Sequence, residues 1–232
     1  MTKISKRNKS IEELIDSKKE YDLSEAVAIL KKVPPVAFDQ TVEIAMKLDL
    51  EQTSTPIRGT VSLPNGTGKT VRVAVFCKGD LEKEAQEAGA DFVGSDELLE
   101  KVSTGWCDFD VAVTTPDMMK DLARFGKVLG PRGLMPNPKS GTVTQEIGKT
   151  VKELKGGKIE FRMDKQSGIK APVGKISFDD EAIVENIKVF ISTVMHSNPK
   201  LQKIQHTKSI AISSTMGPGL KLDKGQFKLS KN

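Results

Sequence analysis

The chemically most suggestive residues in this 232-residue chain are a glycine-lysine-threonine run and a few cysteines, histidines and acids. The run GTGKT at 66–70 matches the end of a phosphate-binding loop, Gly-x4-Gly-Lys-Thr, whose first glycine would fall at position 63. That position is Leu63, and a strand-like segment, VRVAVFC, follows where the loop would have to open a helix. The run therefore predicts a glycine turn, and a nucleotide-binding α/β enzyme is the less favoured alternative.

The other reactive side chains are too few or too scattered for a catalytic or metal site. Cys77 and Cys107 form no CxxC pair, and His196 and His206 are the only imidazoles. This argues against a Cys/His zinc site and against a His-dependent triad. The acids at 179–181 begin a predicted helix, where negative charge favours the N-terminal end. We therefore expect no enzyme, no metal and no cofactor.

Charge is distributed unevenly along the chain. The 36 basic residues exceed the 31 acids, which gives a net charge of +5 and a pI of about 9.0. All of the surplus lies in residues 159–232, with 12 basic and 7 acidic side chains, and this favours contact with phosphates. Residues 80–119 instead hold eleven acids against two bases, so a protein-docking surface there is a third alternative.

Hydropathy and the first residues limit the class of protein further. No apolar run approaches the roughly 18 residues that cross a bilayer. The opening, MTKISKRNKS, continues into a charged amphipathic stretch, so we expect no secretory signal. A cytoplasmic protein that contacts no membrane is the expectation.

Apolar spacing predicts the secondary structure of the first and last blocks of the chain. The first block is predicted to hold helices over 9–19 and 23–32 and strands over 38–50 and 57–63. The last block returns to paired strands around one long helix, from 179 to about 196. Because both blocks combine helices with paired strands, we expect them to form one α+β domain.

In the middle block, residues 69–158, short apolar strands alternate with helices. That alternation is typical of a parallel, Rossmann-like sheet. We therefore expect two domains: a split α+β domain made of residues 1–68 and 159–232, and a three-layer α/β domain inserted as 69–158. Glycines near both crossings make a hinge physically plausible.

Five separated motifs give the chain a specific resemblance. In order they are FDQTVE at 38–43, LPNGTGKTVRVAVF at 63–76, GPRGLMPNPKSGTV at 130–143, GKIEFRMDKQSGIKAPVGK at 157–175 and STMGPG at 214–219. With these motifs, over essentially its whole length, the chain resembles the bacterial ribosomal protein L1 family, proteins of the mobile stalk beside the tRNA exit site. The resemblance implies the same split architecture, with an RNA-binding domain made from both chain ends.

The resemblance also implies a set of RNA-binding residues, carried over motif by motif. These are Phe38, Thr41, Glu43, Asp164, Lys165, Gly168, Ser209, Thr215, Met216 and Gly217. The types are suitable: apolar side chains contact bases, glycines permit close backbone approach, and hydroxyls bond ribose and base edges. A carboxylate such as Glu43 accepts from base amino groups or ribose hydroxyls.

Three positions depart from the family pattern. Ala37 stands where a lysine or arginine is usual, Ile204 where a glycine is usual, and His206 where a tyrosine is usual. These departures concern local loops and leave the STMGPG segment unchanged.

The partners implied by the resemblance are all nucleic acid or ribosomal. They are the stalk region of 23S ribosomal RNA, the E-site tRNA, the protein's own operon messenger, which it would repress, and the large (50S) ribosomal subunit. The sequence gives no reason to expect an obligate dimer, so we expect the free protein to be a monomer.

Overall fold

The computed structural model describes residues 6–16, 19–49, 57–197 and 206–227. The chain divides into unit 1, Met1–Gly68 with Ile159–Asn232, and unit 2, Lys69–Lys158. Helices and sheets are mixed, which confirms the expected α+β and α/β fold class. Within the described residues, no helix combines the length and apolar character needed to cross a membrane.

The regular elements follow one another along the chain in this order: α1 (Lys6–Leu14), α2 (Leu23–Lys32), β1 (Thr41–Leu48), β2 (Arg58–Ser62), β3 (Val73–Phe76), α3 (Asp80–Glu87), β4 (Phe92–Gly94), α4 (Asp96–Ser103), β5 (Val111–Thr114), α5 (Met119–Ala123), α6 (Gly126–Leu129), α7 (Ile147–Lys155), β6 (Lys158–Arg162), β7 (Gly168–Lys175), α8 (Asp180–His196), β8 (Thr207–Ser214) and β9 (Gly219–Lys221). Short 3₁₀ turns occur at Pro138–Ser140 and Lys224–Phe227.

Unit 1 is built on a four-stranded antiparallel sheet with the order β7-β1-β8-β9. Strand β1 alternates strictly between buried and exposed side chains, because one face of the sheet packs on the core and the other meets solvent. On the buried side, Ile44 and Met46 join Phe190 of α8 and Val27 of α2 in a single apolar cluster. The opposite face, here called the open face, presents exposed side chains such as Glu43.

The glycine turn at 66–70 is confirmed, and it is held by a buried asparagine. Gly66 and Gly68 have positive φ, and strand β3 follows instead of a helix. Asn186 of α8, which is fully buried, accepts from the Asn65 N–H at 3.1 Å and donates to the carbonyls of Gly66 and Val173 at 3.0 and 2.8 Å. The turn therefore serves the fold of unit 1 rather than a phosphate.

Unit 2 is a layered α/β structure around the parallel sheet β4-β3-β5. Alternate residues of β3 belong to two different apolar clusters: Ala74 and Phe76 pack with side chains of α4, α5 and α6, whereas Val73 and Val75 pack with α3 and α7. The sheet therefore lies between two layers of helices. This is the arrangement that buried parallel strands require.

An ion-pair network ties the first residues of unit 2 to its sheet. Asp110, just before β5, accepts from Lys69 Nζ at 2.8 Å and from the backbone N–H and Nε of Arg72 at 3.1 and 3.3 Å. The hydrogen bond from Lys69, together with those from Arg72, lowers the pKa of Asp110 to about 2. Arg72 Nη1 also contacts Asp108 at 2.9 Å. These carboxylates are engaged in structural pairing.

Several element boundaries differ from the sequence predictions. Strand β1 begins at Thr41 rather than 38, because residues 37–40 form the loop that leads into it. In the middle block, apolar spacing also predicts a last helix over 143–154. The observed helix begins at Ile147, because Val143 pairs with Thr114 beside β5. The glycines and prolines of residues 126–141 predict no regular element through the middle of that segment, and the short helix α6 lies at its start. The strand β9 has three residues and was not predicted.

Candidate nucleic-acid interface

The ten residues predicted to bind RNA all lie in unit 1 and in the described part of the chain, where they fall into two groups. The first, here called the turn cluster, lies where β1 begins and β8 ends and comprises Phe38, Thr41, Glu43, Thr215, Met216 and Gly217. The second, the hairpin cluster, lies at the opposite end of the sheet and comprises Asp164, Lys165, Gly168 and Ser209.

The strand register shows how far apart the two clusters are. Thr41 pairs with Lys175 at one end of β1, whereas Lys47 pairs with both Gly168 and Ser209 at the other. Six residues of extended chain span about 20 Å. The structure therefore brings the ten residues to one sheet but not to one point, and a ligand touching both clusters must be longer than a single nucleotide.

Hydrogen bonds between β1 and the segment after β8 hold the turn cluster together. The Thr41 N–H donates to Thr215 Oγ1 at 3.1 Å, and the Thr215 N–H donates to the Thr41 carbonyl at the same distance. Thr215 Oγ1 also donates to that carbonyl at 3.3 Å. The Thr215 hydroxyl is therefore already engaged within the protein, and it shapes the cluster more than it offers a free donor.

The turn cluster exposes apolar surface. In the part of the chain that the structure describes, the large apolar side chains exposed to solvent are Leu14, Phe38 and Met216, at 44%, 52% and 56%. Two of the three belong to this cluster. Exposed aromatic and thioether side chains are suited to stacking on unpaired bases.

Polar groups surround this apolar surface. Glu43 is exposed on the open face of the sheet, opposite Pro172 and Ser213. Lys175 Nζ donates to Thr41 Oγ1 at 3.0 Å and to the Asp39 carbonyl at 3.4 Å, so a cation lies beside the Thr41 hydroxyl. Sequence analysis did not single out Lys175, and only the pairing of β7 with β1 identifies it.

In the hairpin cluster, two of the residues hold a tight turn. The Asp164 carboxylate accepts from the backbone N–H groups of Gly168 and Gln166, at 2.7 and 2.8 Å, and these hydrogen bonds lower its pKa. A Cβ on Gly168 would lie 2.8 Å from Asp164 Oδ2. Asp164 and Gly168 therefore shape the β6–β7 connection, and Lys165 stands exposed on it.

The open face between the clusters carries small side chains flanked by lysines. Ala45 lies between Lys170 of β7 and Ala211 of β8, and Ala211 in turn pairs with Lys221 of β9. Lys47 continues the row toward the hairpin cluster. Of these lysines, Lys221 belongs to the basic segment 159–232 in which phosphate contact is expected. Lys47 and Lys170 were not predicted, although the exposed positions of an alternating strand could have identified them.

Two of the three departures from the family pattern, Ala37 and His206, lie in the described part of the chain. Ala37 is exposed next to Phe38, and His206 is exposed just before β8, where its carbonyl accepts from the Asp49 N–H at 2.6 Å. Ile204 lies outside the described residues, as does part of the lysine-rich segment 200–231, which is expected to contact phosphates.

Comparison with known proteins identifies the family. The sequence profile described as "Ribosomal protein L1p/L10e family" matches residues 30–218. Proteins named "Large ribosomal subunit protein uL1" are similar to this chain in Protochlamydia amoebophila (strain UWE25), 55% identical over 225 residues (96% of this chain, 95% of the relative), and in Chlamydia abortus (strain DSM 27085 / S26/3), 51% identical over 232 residues (99% and 100%). The counterpart from Chlamydia trachomatis serovar D is 52% identical over 225 residues (96% and 97%).

The chain belongs to the ribosomal protein L1p/L10e family, as its five motifs predicted. Because this is a family of ribosomal proteins, the prediction that the chain is not an enzyme is also confirmed.

Proposed function

We propose that unit 1 binds a folded segment of 23S ribosomal RNA through the turn cluster and the hairpin cluster. The observation that carries this proposal is the exposure of Phe38 and Met216 beside a hydrogen-bonded Thr41–Thr215 pair. RNA is read mainly through unpaired bases and ribose hydroxyls, and such bases stack on exposed apolar side chains. A surface with apolar, hydroxyl and carboxylate groups together suits that chemistry.

The few charges at the turn cluster favour recognition of RNA shape over general electrostatic attraction to phosphates. Its side chains include one acid, Glu43, and Lys175 donates a hydrogen bond to its Thr41 hydroxyl. A site that relied on phosphate neutralisation would need several cations, and its affinity would fall steeply with salt. Lysines instead occupy the open face and the hairpin cluster, where they would contact the backbone of the same RNA.

The wider role proposed for the chain rests on its family and on its similarity to proteins named as components of the large ribosomal subunit. As a component of the large (50S) subunit in the cytoplasmic ribosome, a chain with this RNA site would form the mobile stalk and assist release of tRNA from the E site. The free protein would be a monomer. Two compact units joined by two crossings are compatible with a stalk that moves.

We also propose that the free protein represses its own messenger, through an RNA segment that imitates the ribosomal site. Because the messenger would compete for the same turn cluster, repression begins only when ribosomal RNA is saturated. Overexpression should lower translation of a reporter that carries the operon leader, and the Met216→Ala variant should lose this effect. Equal reporter translation with and without overexpressed wild type would contradict the proposal.

The direct test of the RNA site compares exposed apolar residues inside and outside the turn cluster. Phe38→Ala and Met216→Ala should each weaken binding of a stalk ribosomal RNA fragment by roughly 1 to 3 kcal/mol, because each removes a stacking surface. Leu14→Ala removes a comparable exposed side chain from α1 and should leave the dissociation constant unchanged. Equal effects of all three substitutions would contradict the assignment.

A further inference from the structure

We propose that Gln40 is a positioning residue that holds the segment carrying Met216 in the shape that RNA requires. This inference rests on the proposed RNA site, and nothing in the family comparison assigns a role to this glutamine. It belongs to the FDQTVE motif but lies between residues expected to touch RNA, and it is itself 5% exposed.

The side chain of Gln40 links two parts of the chain that are far apart in sequence. Its Oε1 accepts from the backbone N–H of Met216 at 2.9 Å, while its own carbonyl accepts from the Ile176 N–H at 2.9 Å. The residue is thus anchored to the end of β7 by its main chain and reaches the β8–β9 connection with its side chain.

Three consecutive amides of this connection are hydrogen-bonded, and only the middle one depends on a side chain. The Thr215 N–H donates to the Thr41 carbonyl, and the Gly217 N–H donates to the Ser214 carbonyl. The Met216 N–H donates to Gln40. The orientation of the peptide that leads into the exposed Met216 side chain is therefore controlled by residue 40.

This arrangement separates positioning from stability. Met216 is 56% exposed and its hydrogen bond to Gln40 is only partly buried, so we expect water to reach the Met216 N–H when the acceptor is lost, and the fold to lose little when Gln40 is replaced. RNA binding loses more, because a turn that samples several orientations must be ordered again on binding. Replacing a residue important only for the fold would instead lower the stability more than the affinity for RNA.

The experiment compares Gln40→Met, which keeps the length without the acceptor, with Gln40→Glu, which keeps an acceptor. We expect Gln40→Met to weaken binding of the stalk ribosomal RNA fragment roughly three- to tenfold and Gln40→Glu to retain most of the affinity. Hydrogen exchange of the Met216 amide should accelerate in Gln40→Met, while that of Ile44 and Ile212 stays protected. Thr150→Val, which removes a similarly buried polar group from unit 2, is the matched control.

A double-mutant cycle with Met216→Ala separates this inference from the proposed RNA site. If Gln40 acts through Met216, Gln40→Met costs clearly less affinity in the Met216→Ala background than in the wild type. If Met216→Ala weakens binding but Gln40→Met does not, the positioning role is refuted and the RNA site stands. If Met216→Ala has no effect either, the proposed site itself is refuted. Equal and additive losses would also overturn the positioning role.

Discussion

Replacing Asn186 by alanine is expected to lower the free energy of unfolding of unit 1 by about 3 kcal/mol, because buried groups are left without partners. The Asn186 side chain is fully buried and makes three hydrogen bonds to the backbone, at Asn65, Gly66 and Val173. Alanine removes all three and leaves one N–H and two carbonyls to find other partners. The cavity left by the shorter side chain adds to the loss.

Urea denaturation followed by circular dichroism measures this change in the free energy of unfolding. Two controls show whether it is specific to Asn186 and to unit 1. Glu185→Ala removes only an exposed hydrogen bond to the Asn65 side chain, at 2.8 Å, and should cost less than about 0.5 kcal/mol. Trp106, the single tryptophan, belongs to the apolar cluster around α4 in unit 2, so its fluorescence follows that unit separately. A loss below about 1 kcal/mol for Asn186→Ala would show that this asparagine does not hold the turn.

Replacing Gly217 by alanine is expected to weaken RNA binding by roughly tenfold or more, because the new methyl group has no space. A Cβ at this position would lie 2.1 Å from Ser214 Oγ and 3.3 Å from Ser214 Cβ. Ser214 is itself 3% exposed, so its hydroxyl cannot move freely into solvent. The β8–β9 connection must shift, and Met216 shifts with it.

The same geometry predicts a rescue. Ser214 Oγ is buried and has no hydrogen-bond partner among the described residues, so Ser214→Ala removes an unpaired polar atom and should leave stability unchanged or slightly raised. The double variant Ser214→Ala/Gly217→Ala should recover most of the affinity. Gly219→Ala is the matched control, because a Cβ there meets nothing within 4 Å. Failure of the rescue would mean that Gly217 contacts RNA directly and is not required by packing alone.

Local signals in the sequence were sufficient to predict many of the elements. Helix α2 matches its predicted bounds, since the Asp22 side chain accepts from the Ser24 N–H at its start and prolines follow its end. The helix predicted over 9–19 is observed over Lys6–Leu14, and residues 17–18 of that prediction lie outside the described residues. Strand β9 escaped prediction because three residues carry too little periodicity.

The candidate site was only partly accessible from sequence. The family resemblance supplied the ten residues, but it could not show that Thr215 bonds back to Thr41 or that Asp164 is occupied by the amides of its own turn. It also gave no reason to notice Gln40 or Lys175, whose contacts join segments more than 130 residues apart. Such contacts depend on strand pairing, which no local pattern encodes.

The central claim is that the turn cluster reads RNA by shape, and a salt titration tests it most directly. The dissociation constant for the stalk ribosomal RNA fragment would be measured against salt concentration for wild type, Met216→Ala and Leu14→Ala. We expect the same slope for all three proteins, because the lysines that contact the RNA backbone are unchanged. The line for Met216→Ala should be displaced toward weaker binding by roughly tenfold, and the line for Leu14→Ala should coincide with that of the wild type. Three coincident lines with a steep slope would contradict the claim, since binding would then be general attraction between lysines and phosphates.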